Sequence, residues 1–199
     1  MKWRRWTRMN EPLEQLARFS FDWAEALCKP EHGCMHYHRM WSMIRLLESK
    51  GAQPAGSEFF GRELQSREGR CRILISGAAD TGLAAMILGQ LRPRGVEPQF
   101  VLVDRCETTL EQNRLFARAA GLAMEIHHED IRDFSCNPVQ AVVAHTFLNL
   151  FPRDQRQKVV DSWARNLEPG GRLLVSQRLL ESKDRPRKPR TGYEIKHRL

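Results

Sequence analysis

The sequence predicts an α/β protein: a three-layer α/β/α sandwich with a mostly parallel sheet, preceded by a helical N-terminal extension. From Arg72 onwards, short apolar runs alternate with helical patterns, the order that produces a parallel sheet with helices on both faces. Residues 11–67 show helical periodicity instead. The first strand ends in the small residues 76–79 directly before a helix. This strand–turn–helix layout is typical of a loop that binds a nucleotide-like cofactor, and also of ordinary tight turns.

The elements follow in order along the chain. Three helices are predicted at residues 11–28, 35–50 and 57–67. Five strands are predicted at residues 72–76, 99–103, 123–127, 139–144 and 172–176, the last after a Pro-Gly-Gly turn. Helices are predicted between them at residues 82–91, 108–120 and 153–167. The predicted division is a helical cap (residues 1–70), a cofactor-binding domain (71–182) and a basic tail (183–199).

The distribution of charge and the number of cysteines limit the partners and the cellular compartment that we expect for this protein. Of the net charge of +8, +4 lies in residues 1–10 and +5 in residues 183–199, which leaves −1 for residues 11–182. A neutral body does not favour nucleic acid as a partner, and basic ends are either solvated tails or tails that bind a polyanion. Five cysteines without a CxxC pair predict free thiols and a cytoplasmic protein. No apolar run approaches the roughly 20 residues of a membrane span, so we expect no membrane partner.

Candidate cofactor-binding residues lie where the predicted strands end. An acid at the end of the second strand, Asp104, is placed to accept hydrogen bonds from the ribose hydroxyls of an adenosine-type cofactor, although it is also placed to cap the next helix. Asp130 and Ile131 follow the third strand, where we expect the adenine ring. The predicted cofactor-binding residues are Ser76, Gly77, Ala78, Ala79, Asp80, Asp104, Arg105, Asp130, Ile131, His145 and Thr146.

His145 follows the fourth strand, at the sheet edge where ligands of this fold bind. A histidine there is able to take a proton from a substrate hydroxyl or amine, so His145 is the predicted catalytic residue. The alternative is a loop histidine that only orients backbone or cofactor.

The second helix carries the candidate substrate contacts. Tyr37, His38, Trp41 and Arg45 lie close to one face of it. Packing of this helix against the sheet is an equally good explanation of Trp41. Histidines and a cysteine also alternate here (His32, Cys34, His36, His38), but this spacing differs from the i, i+4 pairs and CxxC clusters of common metal sites. We therefore expect no metal.

Several segments together resemble the class I S-adenosylmethionine-dependent methyltransferases, which have a Rossmann-like fold. The matching segments are ILISGAADTG, VLVDRCETTL, HEDIRDF and RNLEPGGRLLVSQR, in the family's order over about residues 70–180. The chain is most similar to a bacterial group of unassigned substrate, through YHRMW, SGAAD, VDRCETTL and AHTFL. The resemblance implies S-adenosyl-L-methionine as cofactor and methyl transfer to an acceptor, which we expect to be a small molecule.

The sequence departs from the family pattern in two places. Ile75 stands where an acid usually precedes the first glycine, and Ala79 and Thr81 replace later glycines. Asp80 is the candidate partner for the cofactor's amino group. The family usually has two further strands after the fifth. Either the sheet has five strands, with an exposed edge at which a homodimer could pair, or the sequence is a truncated copy.

Three alternative functions compete with methyl transfer to a small molecule. A nicotinamide-dependent oxidoreductase would need a G-x-G-x-x-G loop, and the sequence lacks one. A nucleic-acid methyltransferase would need a basic surface, and the body of the chain is neutral. The third is a truncated or degenerate methyltransferase-like module that binds the cofactor or a partner without turnover.

Overall fold

The computed structural model of the chain describes residues 13–48, 57–64 and 69–177. The basic ends, and with them the boundaries of the predicted tail, lie outside the described residues. The helices are α1 (Leu13–Leu27), α2 (Met35–Glu48), α3 (Ser57–Glu63), α4 (Gly82–Leu91), α5 (Glu107–Ala120) and α6 (Arg156–Asn166). The strands are β1 (Arg70–Ser76), β2 (Glu97–Asp104), β3 (Met124–His128), β4 (Val139–His145) and β5 (Leu167–Ser176).

The five strands form one parallel sheet in the order β3-β2-β1-β4-β5. The order reverses between β1 and β4, and a ligand of a doubly wound sheet binds at this switch point, outside the carboxyl ends of the strands. The predicted fold class is therefore confirmed for the described residues. Their helices also include none with the length and apolar composition needed to cross a membrane.

Both faces of the sheet are buried, which explains why its central strands are continuously apolar. Alternate residues of a strand point to opposite faces. Ile73 and Ile75 of β1 therefore pack in one apolar cluster with α3 and α4, whereas Leu74 packs in a second cluster with α6. Trp163 of α6 is the largest fully buried side chain of the second cluster. Helices thus cover both faces, as the three-layer prediction requires.

The Pro-Gly-Gly segment lies inside a strand and not before one. The sequence predicts a turn at residues 169–171 and a strand from residue 172. In the structure, Val139 pairs with Leu167 and Ala141 pairs with Arg172, so residues 168–171 form a bulge opposite a single residue of β4. Gly170 has φ +78° within this bulge. The strand therefore begins five residues earlier than predicted, because pairing resumes on both sides of the bulge.

Helices α1 and α2 pack against each other, and α1 also packs against α5. The turn between α1 and α2 closes on Gly33, at φ 61°, after a short 3-10 turn at residues 30–32. Ser20 of α1 lies 3.1 Å from Ser42 of α2, and Gln112 of α5 donates a hydrogen bond to the same Ser20 hydroxyl at 2.7 Å. All three side chains are buried. This polar contact ties the cap to the helix that follows β2.

Candidate functional site

The loop after β1 forms one wall of the site. Gly77 lies at φ +72°, a region that favours glycine, and its backbone N–H donates to Val103 O at 2.9 Å. The ring of Phe147, from the loop after β4, lies directly over Gly77: a Cβ added at this glycine would be 2.1 Å from the ring. The glycine is therefore required both by the backbone conformation and by this close approach.

Asp104 joins the end of β2 to that loop. One carboxylate oxygen accepts a hydrogen bond from Ala78 N at 2.8 Å, and the other accepts one from Cys106 N at 2.7 Å. Burial raises the pKa of Asp104 to about 6, and these two hydrogen bonds oppose that increase. Each oxygen keeps further capacity to accept a hydrogen bond from a bound hydroxyl.

Asp130 and Ile131 lie beyond β3, at the same edge. Although burial acts to raise the pKa of Asp130, hydrogen bonds from Arg132, 2.6 Å away, hold that pKa below its usual range. Arg105 is a second cation, with its Nε 3.7 Å from the Asp130 carboxylate. Ile131 is buried and presents an apolar surface beside this acid.

His145 and Thr146 are at the end of β4. Desolvation by neighbouring side chains lowers the pKa of His145, whose ring keeps access to solvent and lies 6.5 Å from that of Phe60. Thr146 has φ 51°, and its N–H donates to Ser176 O at 2.7 Å. An uncharged imidazole at neutral pH is a competent proton acceptor.

Helix α2 forms the opposite wall. The rings of Tyr37 and Trp41 stack with centroids 5.3 Å apart and an interplanar angle of 18°. One turn further along, Arg45 Nη1 lies 2.5 Å from Asp80 Oδ2, and this ion pair connects the helix to the β1 loop. Desolvation, and next the nearby Asp80 carboxylate, raise the pKa of Tyr37 to about 12, so its phenol is uncharged and able to donate a hydrogen bond.

The side chain of His38 points into a group of thiols, which sequence analysis did not foresee. Its Nδ1 lies 3.4 Å from Cys28 Sγ and 3.2 Å from Cys106 Sγ, and Cys34 Sγ is 3.7 Å from Cys106 Sγ. Hydrogen bonds from the Cys106 and Cys34 thiols lower the pKa of Cys28. The sequence places Cys106 far from the other three residues, so their spacing carried no signal of this group.

A cavity of about 640 Å³ lies between these walls, a volume in the usual range for small-molecule sites. Fourteen of the fifteen predicted site residues line it: Tyr37, His38, Trp41, Arg45, Gly77, Ala78, Ala79, Asp80, Asp104, Arg105, Asp130, Ile131, His145 and Thr146. Ser76 is not among the lining residues. It is fully buried, and its hydroxyl accepts a hydrogen bond from Trp163 Nε1 of α6 at 2.8 Å.

Several apolar residues that line the cavity were not predicted from the sequence. They are Leu83, Met86, Phe147, Leu150 and Phe151. Leu83 and Met86 begin a helix whose apolar pattern resembles that of any buried helix. Phe147 belongs to the AHTFL segment, and the family resemblance of that segment could have indicated a place in the site. Nothing in the sequence shows, however, that the Phe147 ring lies on Gly77.

The residues present fit an adenosine-type cofactor such as S-adenosyl-L-methionine. Asp104 presents a partly buried carboxylate to the cavity, and the glycine-containing loop brings backbone close to it. Ile131 provides an apolar surface for a base. Asp80, the predicted partner of the amino group, is already engaged by Arg45 and by Gly82 N, which donates to it at 2.8 Å.

The fold is that of the class I S-adenosylmethionine-dependent methyltransferases, and comparison with known proteins gives the same likeness. Residues 78–171 match the family model described as a methyltransferase domain. Two curated relatives are described as carboxy-S-adenosyl-L-methionine synthase. The one from Psychrobacter sp. is 23% identical over 178 residues, which are 84% of this chain and 61% of the relative. The one from Chromohalobacter salexigens is 26% identical over 179 residues, which are 86% of this chain and 59% of the relative. The chain thus spans about three fifths of these relatives.

Solved structures support the same fold. The S-adenosylmethionine-dependent methyltransferase SibL in its apo form superposes with a TM-score of 0.55 at 19% identity, over 76% of this chain and 41% of that chain. An S-adenosylmethionine-dependent methyltransferase from Clostridium acetobutylicum gives 0.54 at 16% identity, over 69% of this chain and 56% of that chain. At these identities the likeness is one of fold.

Proposed function

We propose that the chain binds S-adenosyl-L-methionine in the cavity between α2 and the sheet edge and transfers its methyl group in line to a small-molecule acceptor. The observation that carries the proposal is Asp104, a partly buried carboxylate at the end of β2 that also accepts a hydrogen bond from the β1 loop. An acid at this position of a doubly wound sheet holds ribose hydroxyls.

The remaining residues have roles that follow from their positions. Ala78 and Ala79 bring the backbone close to the cofactor, and Asp130 with Ile131 flanks the adenine. The stacked Tyr37 and Trp41 face the acceptor and exclude water from it.

The bound cofactor supplies an activated methyl group whose sulfonium sulfur departs as a neutral thioether. The chain aligns the acceptor with that methyl group. When the acceptor carries a proton, His145 takes it, because its lowered pKa leaves the imidazole uncharged at neutral pH.

The test is calorimetric titration of the purified chain with S-adenosyl-L-methionine and with S-adenosyl-L-homocysteine. We expect both to bind, and Asp104→Asn to weaken binding by roughly 10- to 100-fold, the equivalent of a lost hydrogen bond to a charged group. Asp133→Asn is the matched control, since Asp133 is exposed and does not line the cavity. Absence of binding by the folded wild-type chain, or equal binding by both variants, would refute the proposal.

A second candidate is the module that binds without turnover. Two contacts favour it. The Phe147 ring packs on Gly77, and Arg45 pairs with Asp80, so that both contacts take up places where the cofactor is expected. Incubation of the chain with labelled S-adenosyl-L-methionine and pools of small-molecule acceptors separates the two candidates. Transfer of label to a small molecule supports the enzyme, whereas binding without transfer supports the module.

The curated relatives suggest one variation of the ligand. Their name refers to carboxy-S-adenosyl-L-methionine, and two cations, Arg45 and Arg105, line the cavity of this chain. Titration with the carboxylated compound beside the parent cofactor shows which of the two this cavity prefers.

The compartment, partners and oligomeric state that we propose rest on the sequence. We expect a cytoplasmic bacterial protein with free thiols and no nucleic-acid partner, and the five cysteines are free in the structure. We also expect a homodimer that pairs through the β5 edge. Light scattering of the purified chain would contradict this last expectation by giving the mass of a monomer.

A further inference from the structure

Four side chains from three separate segments converge on one point beside the cavity. Cys28 directly follows α1, Cys34 precedes α2, His38 lies in the first turns of α2, and Cys106 directly precedes α5. Their three sulfur atoms and one ring nitrogen all lie within 4.8 Å of one another. We call these residues the Cys3His cluster.

Four of the six distances between ligand atoms of the cluster are close to those of a tetrahedral metal site, and none of these four is that of a disulfide. With Zn–S of about 2.3 Å and Zn–N of about 2.05 Å, tetrahedral ligands lie about 3.8 Å apart for two sulfurs and about 3.6 Å apart for sulfur and nitrogen. The observed sulfur–sulfur distances to Cys106 are 3.6 Å from Cys28 and 3.7 Å from Cys34. The sulfur–nitrogen distances to His38 are 3.4 Å and 3.2 Å. A disulfide would need about 2.05 Å between sulfurs, and all of these cysteines are free.

We propose that the Cys3His cluster binds one Zn²⁺ ion. Three thiolates and an imidazole are a soft donor set that selects zinc among the common divalent ions. Such a site is structural and takes no part in methyl transfer, because four protein ligands complete a tetrahedron and leave no position open for a substrate.

Burial and the neighbouring residues support a closed site. Cys28, His38 and Cys106 are each at most 6% exposed, and Cys34 is partly buried. The hydroxyl of Thr108 lies 3.1 Å from Cys28 Sγ, where it is able to donate a hydrogen bond to a metal-bound thiolate.

The position of the cluster places a bound zinc ion between the N-terminal helices and the end of β2. Three of its ligands belong to the helical cap, and Cys106 belongs to the sheet edge. Cys106 N also donates to Asp104, the proposed ribose-binding acid, at 2.7 Å. A zinc ion here would fasten the cap to the sheet and hold the end of β2 beside the cavity.

The experiment begins with the full-length wild-type chain, reduced and metal-free. It is titrated with Zn²⁺ and, separately, with Co²⁺, whose visible spectrum reports coordination. We expect one equivalent of zinc per chain by elemental analysis, a raised Tm, and cobalt bands of tetrahedral geometry with a thiolate charge-transfer band. If the folded, reduced chain binds less than a tenth of an equivalent, or if its cobalt spectrum is octahedral, the proposal is wrong.

Variants then assign the ligands. Cys28→Ser and Cys106→Ser are expected to lose stoichiometric zinc, whereas Cys136→Ser, at a half-buried cysteine outside the cluster, should retain it. His38→Cys should keep tetrahedral cobalt but strengthen the charge-transfer band, since a fourth thiolate replaces the imidazole. Thr108→Val should weaken zinc binding about 10- to 100-fold. Equal loss of zinc from the Cys136 variant, or a Cys28–Cys106 disulfide in place of metal, would overturn the assignment.

Discussion

Arg45 and Asp80 form an ion pair that links the helical cap to the cofactor loop. The atoms are 2.5 Å apart, and the side chains are only 18% and 4% exposed. The other oxygen of Asp80 accepts a hydrogen bond from Gly82 N, at the start of α4. The position of α2 over the cavity is therefore coupled to the conformation of the β1 loop.

Replacement of Arg45 should destabilise the protein. Arg45→Ala leaves the Asp80 carboxylate buried without its cationic partner, and we expect a loss of about 2 kcal/mol in the free energy of unfolding. Arg62→Ala is the control, because Arg62 is exposed and its pair with Glu63 should contribute less than about 0.5 kcal/mol. Urea denaturation measures both. Equal losses in the free energy of unfolding would show that the buried pair stabilises the protein no more than the exposed pair does.

Gly77→Ala tests the contact with Phe147. Strain at positive φ should cost about 1 kcal/mol, and overlap with the ring should add about 1–3 kcal/mol. Gly121→Ala isolates the first effect, since Gly121 has φ +62° and no atom within 4 Å of an added Cβ. Thermal unfolding should show a larger loss for the Gly77 variant.

Addition of Phe147→Ala to Gly77→Ala should then recover part of the stability, because the overlapping ring is gone. The absence of any recovery in the double variant would mean that the ring does not lie where the structure places it.

Ser76→Ala distinguishes the predicted role of Ser76 from the observed one. The variant leaves the buried Trp163 N–H without its acceptor, which should cost about 1–3 kcal/mol of stability. Affinity for S-adenosyl-L-methionine should stay unchanged, because Ser76 does not line the cavity. Calorimetry beside a thermal melt measures both quantities. Weaker binding of S-adenosyl-L-methionine at unchanged stability would instead support the contact between Ser76 and the cofactor that the sequence predicts.

The pKa of His145 should lie below 6.5, because desolvation favours the uncharged imidazole. Below pH 6.5 the unfolded chain then binds more protons at this residue, so stability falls as pH falls toward the folded pKa. Two-dimensional NMR of the ring protons measures that pKa directly, with His145→Gln for assignment. A pKa at or above 6.5 would contradict this prediction.

If His145 is the proton acceptor, methyl transfer should also decline as pH falls through that same pKa. With an acceptor identified by screening, His145→Gln should lower kcat by about 100-fold or more and leave cofactor affinity little changed. His36→Gln, an exposed histidine of the same chain, is the control. An unchanged kcat would leave His145 only an orienting role.

The sequence by itself determined the order of strands and helices and the positions of the residues at the strand ends. Apolar runs predict the central strands because both faces of a parallel sheet are buried. Asp104, Asp130 and His145 could be placed at one edge because parallel strands end on the same side. Most of the cavity lining was therefore predictable before the structure.

Only the tertiary structure decided which side chains meet across segments. Cys106 meets Cys28 and His38 because α1 packs against both α2 and the helix after β2, and no local sequence pattern predicts that contact. Ser76 turns from the cavity because alternate residues of β1 face opposite sides of the sheet, and the last residue of the strand faces Trp163. Sequence periodicity determines which face of an element is apolar, whereas packing of distant elements determines which polar atoms come within bonding distance.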